Sequence, residues 1–180
     1  MLARCTALLA LLLAVSGCAS EPRWHRVVAE DGSFSIEMPN QPRQSVQQAD
    51  SAHGKIDAHF MTAVHGGVTY SLLWADYPPA ALTTASDVLD HAVVGALQNT
   101  GAERLEEHEI EFAGFAGRDL RARQTAALLL RIRLLLVGGR LYQLTVAGPP
   151  RPQIDARTTR CFESFDPAPR GEMDLRPTPR

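Results

Sequence analysis

Along residues 24–165 the spacing of apolar positions switches between two periods, and the switches mark the elements. Trp24 to Val28 and Phe34 to Met38 alternate apolar with polar, and Glu30-Asp31-Gly32-Ser33 between them is a turn signal. Phe34, Ile36 and Met38 therefore share one face of a strand, and Pro39 and Pro42 end the hairpin. A polar edge segment over Arg43 to Gln48 follows. Lys55 to Val64, with Ile56, Ala58, Phe60, Thr62 and Val64 on one side, and Val68 to Tyr77 then complete a meander around Gly66-Gly67.

The period changes at Thr84. Leu89, Ala92, Val93, Ala96 and Leu97 recur at helical spacing, which predicts a helix over 84–100. Thr84 with Asp87 three residues on reads as a capping box, and Gly101 suits the left-handed position past the last turn. Four strands are predicted next, at about 105–112, 117–125, 128–137 and 141–147, with a second helix at about 153–164 after Pro149, Pro150 and Pro152. For the turn at Gly138-Gly139, a three-residue loop would align Leu136 with Tyr142, Leu134 with Leu144 and Ile132 with Val146, whereas a two-residue turn would place Leu135 opposite Tyr142. The apolar face favours the first register.

Two of these strands, 68–77 and 128–137, are apolar on both faces, which an antiparallel strand covered on one side only would not be. The expected fold is accordingly α+β, an antiparallel sheet of about six to nine strands sandwiched by two helices.

The ends of the chain are of a different kind. Arg4, an apolar run from Ala7 to Val15 too short to span a bilayer, and the small residues Ser16 and Gly17 form the anatomy of a signal peptide. Val15-Ser16-Gly17-Cys18 resembles the lipobox of bacterial lipoproteins. That resemblance implies removal of residues 1–17, lipidation of Cys18 with more than one acyl chain, and a short linker over 18–23 before a single domain at 24–165. Ala19 after the cysteine implies the outer membrane, facing the periplasm, in an organism that has one. The linker reaches only about 20 Å at full extension, so the domain would sit close to its membrane. Residues 166–180, with four prolines and few apolar residues, are expected to form a disordered tail.

Within the domain, Phe34-Ser-Ile-Glu-Met-Pro39 followed by Pro42, the central helix, Gly139-Arg-Leu-Tyr-Gln-Leu-Thr-Val-Ala-Gly-Pro149 and the closing Phe162-Glu-Ser-Phe165 resemble bacterial lipoproteins with PsbP-like domains. Members of that family are largely without assigned activity, and those with a role mostly act as binding or assembly modules. The resemblance implies no catalytic residues and no cofactor.

Composition agrees with one globular domain, with 45% apolar and 21% charged residues and a net charge of −2. Once residues 1–17 are removed and Cys18 is lipidated, Cys161 is the one remaining thiol, so an internal disulfide is excluded. Cys161 shares a helical face with Ile154, Phe162 and Phe165 and reads as a buried small hydrophobe; a hydrolase or thiol-dependent enzyme using it is the alternative. No Gly-x-Ser-x-Gly, His-Glu-x-x-His, Cys-x-x-Cys or phosphate-binding glycine loop occurs. His65-Gly66-Gly67 is better read as a hairpin turn than as a lipase-like oxyanion segment. His53, His59 and His65, with Asp57, invite a metal reading, but His53 and His65 would lie about 40 Å apart along an extended strand. No metal site is predicted.

Charge is segregated. Residues 21–117 hold 14 acidic and 5 basic residues, net −9, whereas 118–160 hold 9 basic and 2 acidic, net +7. If 105–112, 117–125 and 128–137 pair as hairpins, Glu109, Arg121 and Arg133 line up across three strands, and Glu107, Arg123 and Arg131 do likewise. The face is then either a cross-strand salt-bridge ladder or a site where surplus arginine holds a lipid headgroup, envelope polymer or acidic partner. Nucleic acid is excluded by compartment, overall acidity and the lack of interleaved aromatics. The expected function is a membrane-anchored, non-enzymatic binding or assembly module.

Overall fold

The computed structural model describes residues 21–51, 54–79, 82 and 84–167. Ten strands and two helices follow in the order β1 (Trp24–Val28), β2 (Phe34–Pro39), β3 (Arg43–Ser51), β4 (Gly54–His65), β5 (Val68–Asp76), α1 (Ala85–Thr100), β6 (Glu103–Phe112), β7 (Phe115–Thr125), β8 (Leu128–Val137), β9 (Arg140–Gly148), α2 (Pro152–Glu163) and β10 (Asp166–Pro167). Seven strands form one antiparallel sheet in the order β3-β4-β5-β9-β8-β7-β6, and β1-β2-β10 form a small second sheet. The predicted α+β sandwich is therefore the observed fold, with a small sheet added to it.

Strand β8 shows how the layers arise. Leu135 and Val137 enter a core with Phe34, Ile36 and Met38 of β2 and Cys161 and Phe162 of α2, while Leu130, Ile132 and Leu134 pack against Leu89, Val93 and Ala96 of α1. Over Leu134–Val137 the strand supplies both cores, which is why its sequence does not alternate there, whereas Arg131 and Arg133 interrupt the apolar run on the α2 side. Helix α1 thus covers one face of the sheet over β7 and β8, and α2 with the small sheet covers the other. The α1 cap is as expected: Thr84 Oγ1 accepts from Asp87 N at 3.1 Å, and Gly101 adopts φ 61°.

Register departs from expectation at the turns. Gly138 and Gly139, at φ 54° and 86°, close β8 to β9 in two residues, so Leu135 and not Leu136 opposes Tyr142. Only residues tolerant of positive φ can make so tight a turn, and here both are glycine. Ala113-Gly114 closes β6 to β7 equally tightly and pairs Phe112 with Phe115. As a result Glu109 lies opposite Arg118, on the α1 face, rather than opposite Arg121. A slip by an odd number of residues exchanges the faces. Asp166 and Pro167, expected in the tail, pair with Ser35 and Phe34 of β2. Residues 1–17, Cys18 and the tail after Pro167 lie outside the described residues.

Candidate functional site

The four arginines singled out from the sequence, Arg121, Arg123, Arg131 and Arg133, all fall on the α2 side of the sheet, but they do not form one patch. Arg133 is withdrawn. It is 8% exposed, its Nε and Nη2 bind both oxygens of Asp119 at 2.8 and 2.9 Å, and Nη1 reaches Glu163 of α2 at 3.1 Å. Its guanidinium also lies 4.7 Å from the Phe112 ring centre and 5.3 Å from that of Phe162. Burial opposes the charge, yet hydrogen bonds to Asp119 and Glu163 outweigh it and keep Arg133 cationic. This residue ties α2 to the sheet, and its burial between Asp119 and Glu163 keeps it from the surface where a ligand would meet it.

Arg121 and Arg131 behave differently. They are direct cross-strand partners, in a row that runs Glu106, Arg121, Arg131, Val146 across β6, β7, β8 and β9. Arg121 reaches Glu106 at 2.9 Å, and Arg131 approaches Asp155 of α2 only to 4.0 Å. Both line a groove of about 240 Å³ whose walls are completed by Leu105, Leu129, Val146, Pro149 and Arg151. Arg123 stands one step outward, exposed, opposite Glu103 and Leu129.

Helix α2 supplies the remaining wall. Its N-cap is Arg151, in an extended conformation and with no side-chain hydrogen bond to the first turn, and a proline follows it. The uncapped first turn adds partial positive charge to that of Arg151. Three arginines thus face two carboxylates, Glu106 and Asp155, leaving one net positive charge around the groove. Arg151 was missed in the sequence because helix position says nothing of which strand end the helix crosses; the run Pro149-Pro-Arg-Pro152 before a helix was the available signal.

The sequence-level pairing of Glu109 with Arg121 and Arg133, and of Glu107 with Arg123 and Arg131, is corrected. Glu107 and Glu109 instead lie 3.6 and 3.2 Å from Arg118, a buried arginine that also reaches Asp90 of α1 at 2.8 Å. A second buried arginine, Arg140, bonds both oxygens of Asp76 at 2.6 and 2.9 Å, Asp31 at 3.0 Å and the Ser33 hydroxyl at 2.6 Å. Arg118 and Arg140 fasten α1 and the β1–β2 turn to the large sheet.

Cys161 is 2% exposed, and burial, with the nearby Glu37 carboxylate, pushes its thiol up to about 12. It packs in the core among Phe34, Tyr70 and Phe162, away from the groove. His59 stacks on Trp74 with ring centres 5.1 Å apart, and the His91 ring lies 2.7 Å from the Asp87 carbonyl oxygen. His53 lies outside the described residues, among which no group of three or more His, Cys, Asp or Glu is placed to hold a metal ion. Gly66 and Gly67, both at positive φ, form the turn between β4 and β5.

No protein-family model and no curated protein matches the sequence. Among solved structures, the chain is similar to the cyanobacterial PsbP protein CyanoP from Synechocystis sp. PCC 6803, with a TM-score of 0.57 at 13% identity over 86% of this chain and 98% of that one. A protein of unknown function from Pseudomonas aeruginosa aligns at a TM-score of 0.48 and 13% identity, covering 81% of this chain and 98% of its own. A Bacteroides thetaiotaomicron protein aligns at 0.42 and 8%, covering 82% and 49%. The likeness to CyanoP is one of fold, and the chain has a PsbP-like fold.

Proposed function

We propose that this protein is a lipid-anchored component of the bacterial cell envelope, held through Cys18, whose PsbP-like domain is a non-enzymatic binding module that takes an anionic group in the Arg121–Arg131–Arg151 groove. The observation that carries the reading is the direct opposition of Arg121 and Arg131. Like charges placed across a strand pair cost stability, and this pair lines a groove where an incoming anion would relieve the repulsion with the bidentate geometry that guanidinium offers. The groove is smaller than the roughly 300–1,000 Å³ of pockets that enclose a whole drug-sized ligand. It suits one charged group of a larger ligand or partner.

Two measurements test the reading. Membrane fractionation of the wild type against Cys18→Ala should move the protein from the membrane to the soluble fraction; retention of the variant in the membrane overturns the anchor. Titration of the full chain with inorganic phosphate, followed by NMR of the arginine side chains, should shift Arg121, Arg131 and Arg151, and Arg121→Glu with Arg131→Glu should abolish the shifts in a protein that keeps its circular dichroism. Equal binding by that variant would remove the groove from the proposal.

A further inference from the structure

The groove has a second property that a simple anion site does not need, an apolar wall. Leu105, Leu129, Val146 and Pro149 stand beside the three arginines. Leu129 lies two residues along β8 from Arg131, on the same face, where it opposes Arg123. Leu105 occupies the bulge between Arg104 and Glu106, which turns an otherwise strongly acidic strand toward the groove with an apolar residue. Charge and hydrocarbon are therefore presented side by side, in a space too small for a large ligand and open to solvent.

Position supplies the other half of the argument. The Glu21 carboxylate lies 3.2 Å from Arg157 of α2, and the Arg160 guanidinium sits 4.5 Å from the centre of the Trp24 ring. The start of the domain is thereby clipped to the same helix whose first turn borders the groove. Glu21 is three positions after Cys18, a reach of about 10 Å, and Arg151 precedes Arg157 by six residues, about 9 Å along a helix. A lipid on Cys18 would bring the membrane surface to this side of the molecule.

Resting on the proposed anchored binding module, we infer that the groove takes the singly charged phosphate of an anionic phospholipid together with the first carbons attached to it. The net charge of +1 from Arg121, Arg131 and Arg151 against Glu106 and Asp155 matches a phosphodiester monoanion. Leu105, Leu129 and Pro149 cover the adjoining carbons, and Asp155, closest to Arg131, is the residue that such a headgroup must compete with.

The test is titration calorimetry of the full chain with three probes: dihexanoylphosphatidylglycerol below its micelle concentration, glycerol 3-phosphate, and dihexanoylphosphatidylcholine. The anionic short-chain lipid should bind at least tenfold tighter than either of the others. Arg131→Gln should weaken it at least tenfold, Asp155→Asn should tighten it severalfold, and Leu129→Asn should remove its advantage over glycerol 3-phosphate. If glycerol 3-phosphate binds as well as the lipid, the apolar wall is unused and this inference falls while the anion groove stands. If phosphatidylcholine binds as well, or no probe binds, the groove reading falls with it.

Discussion

Arg121 and Arg131 oppose each other directly across β7 and β8, with Glu106 of the neighbouring strand β6 at 2.9 Å from the first and Asp155 of α2 no nearer than 4.0 Å to the second. Opposed like charges on a half-exposed sheet face are destabilising by a few tenths of a kcal/mol up to about 1 kcal/mol. Arg131→Gln is expected to raise the unfolding free energy by that amount, seen as a higher urea midpoint, while weakening anion binding. A lowered midpoint would mean that the contact with Asp155 outweighs the repulsion.

Arg140 carries the opposite expectation. Its side chain is buried and it holds Asp76 of β5 together with Asp31 and Ser33 of the β1–β2 turn. Arg140 is buried, but the carboxylates it would leave behind are half exposed, so losing its hydrogen bonds costs about 1–3 kcal/mol rather than the full cost of a stranded buried charge. Arg140→Gln should therefore lower the urea unfolding transition, followed by tryptophan fluorescence, by an amount well above experimental error. Arg140→Lys keeps the charge but not the fork, and should recover only part of the loss. A shift for Arg140→Gln within experimental error would show that the network contributes nothing.

The same network predicts behaviour in acid. Burial alone would raise the Asp31 carboxyl, but hydrogen bonds from the Ser33 hydroxyl and backbone N–H, and from Arg140, outweigh it and hold Asp31 below its ordinary range. A carboxyl depressed in the folded state binds its proton more readily in the unfolded chain. Its stabilising contribution is full above the unfolded value near 3.9 and is lost as pH falls through the folded value. Urea unfolding at a series of pH values between about 5 and 2 should show this decline, and Asp31→Asn should flatten it; an unchanged slope would assign the acid sensitivity to other carboxylates.

Ala113 sits at φ 53°, followed by Gly114 at φ 83°, in the two-residue turn between β6 and β7. A left-handed backbone costs a residue with a Cβ about 1–2 kcal/mol, and asparagine tolerates it better than alanine. Ala113→Asn is expected to raise the thermal midpoint, corresponding to a gain of roughly 0.5–1 kcal/mol after the turn relaxes. A drop would mean that the methyl group makes a contact worth more than the strain.

Cys161 should be inert in the native protein. With its thiol buried and pushed up to about 12, labelling by a maleimide at neutral pH should proceed only as fast as the core opens, and denaturant should accelerate it in step with unfolding. Brisk labelling of the folded protein would restore the thiol to consideration as a reactive group.

Much of this was written into the sequence by local rules. The alternation of Phe34, Ile36 and Met38, the helical recurrence of Leu89, Val93 and Ala96, the Thr84 cap and the Gly101 stop each depend on residues within one or two turns of one another, so they are legible without knowing what packs against them. The two-sided apolar character of β5 and β8 even announced helices on both faces. Three decisions belonged to the tertiary structure. Strand β9 pairs with both β5 and β8, joining segments about seventy residues apart through hydrogen bonds that any extended backbone could make. The registers were set by two-residue turns at Ala113-Gly114 and Gly138-Gly139, where a shift of a single residue changes which side chains face each other. The pairing of β7 with β8, which sets Asp119 opposite Arg133 and Arg121 opposite Arg131, separated arginines that look equivalent in sequence, enclosing Arg133 between Asp119 and Glu163 and leaving Arg121 and Arg131 beside a helix end that contributes Arg151. Alternation along a strand tells which side of a sheet an arginine faces; its charge partners are settled only by register and by the helix that crosses above it.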